Sequence, residues 1–400
     1  MTVLVADSIA DIGIDTLRDA GHQVVNQPAL SGEALVTALA EVEPQVLVVR
    51  STKVPPEALD ASPILSLIVR AGAGYDTIDV EGASERGIFV ANCPGKNSVA
   101  VAELTLGLLL ALDRRIPDNV QDARAGHWNK ALYANAQGLK GRTLGIIGLG
   151  NIGMEVMRRA QAFDMDVVAW SRSLSRADAE ATGIGFGETP HEVAERADAV
   201  TLHVASTPET EHLADRAFFE AMNHGAFFIN TTRAAVVDEE ALAWALEAKN
   251  IRAALDVMHG EPAQKEADFE HPLADHNNLY MTHHIGASTQ QAQNATAAEA
   301  ARVVSTFADT GDVPNCVNLA TQTPAKHQIT VRHLDQVGVL AGVLDDMRRA
   351  GWNIQEMSNR IFEGAKAAVA SIRFDGPMDE DALERIRARE DVLAVSFVEL

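Results

Sequence analysis

The sequence predicts an α/β protein with two doubly wound, parallel-sheet domains and a small C-terminal α+β domain of ferredoxin-like order. Three observations carry that expectation. Short apolar runs alternate with amphipathic helical stretches over the first hundred residues, and again from Thr143. This is the repetition that builds parallel sheets covered by helices. Between the two series, Ser98 to Leu112 (SVAVAELTLGLLLAL) is apolar almost all round and too long for one strand, so it reads as a buried helix. After a polar stretch ending in TPAK, the last 75 residues or so fall in the order βαββαβ, the split arrangement of ferredoxin-like units.

The elements follow in order. TVLVAD, HQVVN, QVLVVRS, LSLIVRAG and IFVANCPG read as strands, and DIGIDTLRDAG, SGEALVTALAEV and IDVEGASERG as helices. Gly21 should stop the first helix and Ser31 should open the second. IPDNVQDARAGHWNKALYANAQGLKG is polar with scattered aromatics and reads as helix, then loop. The second series places strands at TLGIIG, DVVAW, AVTLHV, AFFIN, AALDV and NLYMTHH, with helices at 152–163, 190–196, 215–222, 237–248 and 288–309. The tail places strands at QITVRHLD, NIQEMSNRIF, AAVASIRFD and VLAVSFVEL, with helices through 339–350 and 379–389. No fixed-period repeat is visible.

Composition narrows the class. At 400 residues, 47% apolar and 22% charged, the chain can bury large cores without staples. The longest apolar stretch is about half a membrane span, and MTVLVADSIA lacks the pattern of a secretory signal. Two cysteines, Cys93 and Cys316, make no disulfide framework, and a cytoplasmic location is expected. With 33 basic against 56 acidic residues the net charge is −23. That field repels nucleic acid, and neither a nucleic-acid partner, a membrane partner nor a metal site is expected. An anionic substrate would need a local cluster of cations.

Gly148, Gly150 and Gly153 form GLGNIG between the strand TLGII and a helix, with DVVAW completing the βαβ unit. In that context the motif reads as a dinucleotide cradle in a Rossmann-like domain. Asn151 and Ile152 lie inside it, and the helix N-terminus supplies amides for a pyrophosphate. The end of the second strand, Ser171-Arg172, carries no carboxylate for a ribose 2′-hydroxyl. Arg172 either pairs with a 2′-phosphate or faces adenine or solvent. NADP is therefore possible, and NAD is the first expectation only through the resemblance described below.

Arg233, Glu261 and His284 each follow a strand of the second series, and strand C-terminal ends open into the ligand crevice of such sheets. A guanidinium fits a substrate carboxylate, an imidazole exchanges a hydroxyl proton, and a carboxylate beside it holds its orientation. The set suits hydride transfer between a 2-hydroxy acid and a nicotinamide. Glu266 and Glu270 compete with Glu261, and pattern alone does not choose between His283 and His284.

TLGIIGLGNIG, INTTRAAVVDEEAL, LDVMHGEP and THHIGAST stand in the order and spacing of the D-isomer-specific 2-hydroxyacid dehydrogenases, and the chain resembles that family over nearly residues 1–318. VRAGAGYDTIDVEGASERGIFVANCPGKNSVAVAEL resembles the phosphoglycerate dehydrogenase branch, and the tail resembles an ACT domain. The resemblance implies oxidation of 3-phospho-D-glycerate, the first step of serine synthesis. Glyoxylate or hydroxypyruvate reduction is the nearest alternative, and a dinucleotide-sensing scaffold the alternative of another class. It implies a substrate domain of 1–95 and 287–318, a dinucleotide domain of 96–286, a linker of 319–326 and an ACT domain of 327–400. It implies Arg233 as substrate anchor, Glu261 as partner carboxylate and His284 as acid–base group. Arg50, the turn Ala73-Gly74 and Asn97 are implied at the substrate, with capping of the following helix an alternative for Asn97 and Lys53 a further phosphate contact. Asp256, Thr207 and Thr232 are implied at the cofactor. His333, Asp335 and Asn353 are implied at an amino-acid effector, with a purely structural dimerisation module the alternative for the tail, and the arm 120–140 at a contact within a homodimer or homotetramer. Four positions depart from the family pattern: His283 stands for Pro and Ala234 for Gly in the dehydrogenase part, and Asp335 for Asn and Val337 for Pro in the tail.

Overall fold

The computed structural model describes residues 1–262 and 266–400, which form two compact units, Met1–Asn318 and Leu319–Leu400. In the first unit the chain begins β1 (Thr2–Val5), α1 (Asp11–Asp19), β2 (Gln23–Asn26), α2 (Glu33–Val42), β3 (Val46–Val49), α3 (Pro56–Leu59), β4 (Leu67–Arg70), α4 (Val80–Glu85) and β5 (Phe89–Ala91). These strands make a parallel sheet ordered β2-β1-β3-β4-β5. β3 reads as an unbroken apolar run because both sheet faces are covered and all four of its residues are buried. Leu4, Leu47 and Ile68 face one layer of helices, and Val3, Val48 and Leu67 the other.

Two helices follow, α5 (Ser98–Arg114) and α6 (Ile116–Arg124). The second sheet is then built from β6 (Thr143–Ile147), α7 (Asn151–Ala162), β7 (Asp166–Trp170), α8 (Arg176–Ala181), β8 (Gly185–Phe186), α9 (Pro190–Arg196), β9 (Ala199–Leu202), α10 (Arg216–Ala221), β10 (Phe227–Asn230), α11 (Glu239–Ala248), β11 (Arg252–Leu255) and β12 (Leu279–Met281). Its order is β12-β11-β10-β9-β6-β7-β8, parallel throughout. α5 packs Leu106, Leu109 and Leu112 on this sheet's Leu144 and Ile146. The last helix of the unit, α12 (Gln290–Thr310), returns to the first sheet and buries Ala300, Ala301, Val303 and Val304 against it. Two segments therefore cross between the sheets. The strand order reverses at β1/β3 in one sheet and at β6/β9 in the other, and ligands bind at such switch points.

The second unit runs β13 (His327–Leu334), α13 (Val339–Arg349), β14 (Asn353–Ile361), β15 (Ala367–Asp375), α14 (Glu380–Arg387) and β16 (Val392–Glu399). Its antiparallel sheet is ordered β14-β15-β13-β16. Ile329, Ile372 and Phe374 pack on Val343, Met347 and Ile386, and Trp352 stacks on Phe374 with ring centroids 4.3 Å apart. Among the described residues no helix is long and apolar enough to cross a membrane.

Three short elements carry too few residues for a period to show: α3, α8 and β8. The S-x-x-D at Ser175 was the readable signal for α8, since Ser175 and Asp178 cap each other's backbone. Two expected caps differ. α2 starts after Gly32, at φ +52°, with no side-chain cap, so Ser31 lies one residue too early. Asn97 precedes α5 but makes no capping bond.

Glu299 of α12 is buried (8% exposed) and takes Arg302 at 2.6 Å, Asn315 at 2.7 Å and Lys96 at 3.3 Å. Arg302 first, then Asn315 and Lys96, outweigh burial and hold its carboxyl down to about 2, against an ordinary 4.5. A depressed carboxyl adds stability that is complete above its unfolded pKa and lost as pH falls through its folded one. Glu299→Gln should therefore lower stability at pH 7 by roughly 1–2 kcal/mol, allowing for the exposure of Lys96 and Arg302. In urea unfolding the deficit should narrow below pH 4.5 and vanish near 2; a pH-independent deficit would assign the effect to packing.

Candidate active site

The glycine motif forms the turn from β6 into α7, beside the switch point. Gly148 takes φ +99°, and a Cβ there would lie 2.6 Å from the His203 backbone, so the end of β9 passes against it. A Cβ on Gly153 would lie 2.2 Å from the Gly148 carbonyl oxygen, which ties helix to turn. Gly150 has open space around it and precedes Asn151 at the start of α7, where no side chain caps the first turn. This fits a dinucleotide: the amides of Asn151, Ile152 and Gly153 and the helix dipole are free for a pyrophosphate. Ser171 and Arg172 follow β7, with Arg172 exposed. Glu209 joins them to Thr207: its carboxyl is held down first by the Thr207 hydroxyl and also by the charge of Arg172. Thr232 is buried, its hydroxyl donating to Asn230 Oδ1 at 2.6 Å.

His284 and Glu261 meet. His284 Nδ1 lies 2.8 Å from Glu261 Oε2, and Glu261 Oε1 accepts the Met258 N–H at 2.8 Å. Burial alone would raise the Glu261 carboxyl, but His284, the Met258 amide and the charge of Arg233 outweigh it and hold the group below the usual carboxylate range. An ionised Glu261 is acceptor-only, so Nδ1 carries the proton and Nε2 is the basic atom. The alternatives separate here: Glu266 and Glu270 are exposed, and His283 lines the cleft without being the partner of Glu261. Asp256, 1% exposed, accepts from the Thr282 hydroxyl and from the Ile285 and Gly286 amides at 2.6–2.9 Å. One of a carboxylate's roughly four acceptor positions remains for a cofactor amide.

A cleft of about 850 Å³ opens beside this pair, lined among others by Arg50, Arg70, Asn97, Phe269 and His284. Arg50 follows β3, and Asp7, at the end of β1, accepts the amides of Arg50 at 2.7 Å, Ser51 at 3.1 Å and Thr52 at 2.9 Å. Arg233 donates through Nη2 and Nε to Asp76 at 3.2 and 3.4 Å and through Nη1 to the Thr232 carbonyl. Its guanidinium lies over Gly74, where a Cβ would come 2.2 Å from Nη2. Ala73 gives its carbonyl to Asn92 at 2.6 Å. Asn97 Oδ1 is buried without a partner. Lys53 is exposed and not among the residues lining the cleft.

Sequence reasoning missed three residues. Arg70, at the end of β4, aims its guanidinium across Gly72, where a Cβ would come 1.4 Å from Nη1. Its Nε is buried and unpartnered, and burial, then the charges of Arg233 and Arg50, push its pKa down to about 10 against the pull of Asp76. The strand-end rule that picked out Arg233, Glu261 and His284 would have found it, had it been applied to the first series of strands. Asp7 and Asp76 carry no spacing signal.

In the second unit the effector residues do not converge within one chain. His333 is 2% exposed, its ring bonded to the Leu334 carbonyl at 2.7 Å and Asn359 Oδ1 at 3.2 Å. Asp335 donates its amide to the Lys366 carbonyl. His333 pairs with Ala368 and Asn353 with Asp375, seven residues apart on β15, or about 23 Å along the sheet.

A glycine turn at the switch point of a doubly wound sheet, together with an imidazole–carboxylate pair beside a cleft that two arginines line, is the framework of a dinucleotide-dependent oxidoreductase. Residues 106–286 match the family described as D-isomer specific 2-hydroxyacid dehydrogenase, NAD binding domain, and the chain belongs to that dehydrogenase family. It is 39% identical to a D-3-phosphoglycerate dehydrogenase of Methanocaldococcus jannaschii over 295 residues, 73% of this chain and 55% of the relative. It is 36% identical to one of Archaeoglobus fulgidus over 348 residues, 86% of this chain and 64% of the relative. The chain thus spans little more than half the length of these relatives. A crystal structure of a Thermus thermophilus protein superposes with a TM-score of 0.71 at 34% identity, covering 79% of this chain and 100% of that one.

The cradle makes a direct prediction. Gly153→Ala forces a methyl group against the Gly148 carbonyl and should weaken NAD binding at least about tenfold, since the turn cannot keep both its shape and its amide directions. Fluorescence titration with NADH checks this; unchanged affinity would move the pyrophosphate elsewhere.

Proposed function

We propose that this protein oxidises 3-phospho-D-glycerate to 3-phosphohydroxypyruvate with NAD, and NADP as second choice, in the first step of serine synthesis. The observation that carries this reading is the pair Arg50 and Arg70 in the cleft, beyond the arginine a 2-hydroxy carboxylate requires. A second anion on the substrate meets them, and the unpartnered Nε of Arg70 is relieved by a phosphate oxygen. Simple glyoxylate leaves that cation unmatched, a buried charge without a partner.

The geometry supports the following roles. Arg233 holds the substrate carboxylate, and Arg50 and Arg70 hold the phosphate. His284 Nε2 takes the C2 hydroxyl proton as the C2–H bond breaks, and Glu261 stabilises the imidazolium that forms. The dinucleotide, when bound, supplies the ring that accepts the hydride. Asp256 and the amides at the start of α7 are the groups of this chain that hold it. Asn97, with its bare Oδ1, accepts a donor at the cleft entrance.

The same reading makes 1–95 with 287–318 the substrate domain, 96–286 the dinucleotide domain, 319–326 a linker and 327–400 an ACT domain. The ferredoxin-like strand order supports the last. The separation of His333 from Asn353 supports an effector site completed by a second copy of the chain, hence a homodimer or homotetramer working in the cytoplasm.

Steady-state turnover of 3-phospho-D-glycerate with NAD and with NADP tests the function. His284→Asn should lower kcat by roughly 10²–10⁴-fold with NAD affinity retained; turnover surviving in that variant would remove His284 from the chemistry. Arg50→Ala separates the phosphate from the carboxylate. It should raise KM for 3-phospho-D-glycerate by at least about tenfold, in the range of a lost charge-assisted contact, and leave an unphosphorylated 2-hydroxy acid nearly unaffected. Equal losses on both substrates would take the phosphate away from Arg50.

A further inference from the structure

We infer that Glu239, at the start of α11, is a positioning residue for the Glu261–His284 pair. The inference rests on the acid–base reading just given. The Asp238 side chain already caps α11 by accepting the Ala241 amide at 3.0 Å, so the helix does not need the Glu239 carboxylate. That carboxylate instead turns away to two donors. Oε1 accepts the His259 N–H at 2.9 Å, and Oε2 lies 3.2 Å from His271 Nε2. The His271 side chain is 2% exposed and that of Glu239 18%, so neither finds a substitute in water.

The protonation of His271 is fixed by its other nitrogen. Nδ1 accepts the Leu273 amide at 3.3 Å, so Nε2 carries the hydrogen and donates it to Glu239. Both contacts of Glu239 therefore come from donors, and only a group with two acceptor oxygens satisfies them. His259 lies between Met258 and Glu261, which both line the cleft. Glu261 follows His259 by two residues, and Phe269, which lines the cleft, precedes His271 by two and packs on its ring at 5.7 Å. The line of contacts runs from His271 through Glu239 to the His259 amide. It continues from the adjacent Met258 amide to Glu261 Oε1, and from Glu261 Oε2 to His284. A carboxylate that holds the His259 amide fixes the turn from which Met258 holds Glu261 and Glu261 meets the imidazole.

Glu239→Gln tests this at nearly constant volume. The amide has one acceptor oxygen, and its NH₂ faces a donor, so one pin is lost. The measurement is a double-mutant cycle on the full-length enzyme: Glu239→Gln, Glu261→Gln and both together, with kcat at saturating 3-phospho-D-glycerate and NAD. Melting temperature and NADH affinity are read alongside. Expected is a loss in kcat of about tenfold for Glu239→Gln alone, the scale of a small misplacement of a reacting group, with NADH affinity kept. In the Glu261→Gln background the same change should cost under about twofold, because the group it positions is already gone. Equal losses in both backgrounds, or a loss tracking a fall in NADH affinity, would overturn the assignment. Should Glu239→Gln not fold, His271→Leu removes the donor at the other pin and is read in the same cycle with the same two outcomes. An active wild type whose Glu261→Gln variant is unimpaired would instead sink the acid–base reading, and is distinguished by that single variant.

Discussion

Asp256 follows β11 with 1% of its surface exposed, and its carboxylate gathers three donors from the chain leaving β12: the Thr282 hydroxyl, the Ile285 amide and the Gly286 amide. An ionised group at that depth is tolerable only while its hydrogen bonds are complete. The donors bracket His284, whose φ of +51° is uncommon away from glycine and costs on the order of 1–3 kcal/mol unless the surroundings impose it. They impose it here: Thr282 is held on one side, Ile285 and Gly286 on the other, and a Cβ at Gly286 would come within 3.1 Å of Asp256 Oδ2. The position of the imidazole is thus a consequence of satisfying a buried carboxylate.

The same pattern of local neutralisation recurs around the cleft. Asp7 commits its carboxylate to three amides that shape the Arg50 turn, Asp76 to Arg233, and Glu261 to His284 and an amide. Each acidic group is matched locally, by N–H groups or by the cation it aims. Arg50 and Arg70 line the cleft, as does Asp268, and Arg70, with its pKa pushed down to about 10, is a cation whose charge its arginine neighbours oppose. On the function proposed above, a chain of net charge −23 would hold an anion by this local arrangement, against the sign of its surface as a whole.

How much of this was legible in the sequence depended on whether a residue's position relative to a strand end was enough to place it. Arg233, Glu261 and His284 all follow parallel strands of one sheet, and chain order alone sends them to one crevice; Arg50 follows a strand of the other sheet, and the family resemblance was what pointed to it. Arg70 obeys the same rule, but LIVR followed by AGAG reads as a strand and a turn; that the glycines make room for two guanidiniums appears only when the side chains are placed. The choices between His283 and His284, and among Glu261, Glu266 and Glu270, were decided by which pair comes within 2.8 Å, a distance no spacing encodes. Asp7, Asp76 and Glu239 are single carboxylates whose partners lie between 20 and 157 residues away, so no local pattern announces them. The large elements were legible because each spans a full hydrophobic period, while α3, α8 and β8 do not.

The two sheets contribute different halves of the site. The first brings Arg50 and Arg70 past β3 and β4, and the second brings Arg233, Glu261 and His284 past β10, β11 and β12. The ion pair between Asp76 and Arg233 joins those halves at the cleft, and it is weak: its contacts are 3.2 and 3.4 Å long, and the Asp76 side chain is 55% exposed. Exposed pairs of that kind contribute at most about 1 kcal/mol. The covalent crossings near residue 96 and at α12 carry the rest of the connection, tied to each other through Lys96 and Glu299. On the function proposed above, a substrate with a carboxylate at one end and a phosphate at the other would span these two halves. Its phosphate would meet the arginines of the first sheet and its reacting end the residues of the second, so binding both ends would bring the sheets together over the reacting carbon. The energy of the phosphate contact would then serve to exclude water and align the proton and hydride paths, although the phosphate takes no part in the bonds that change.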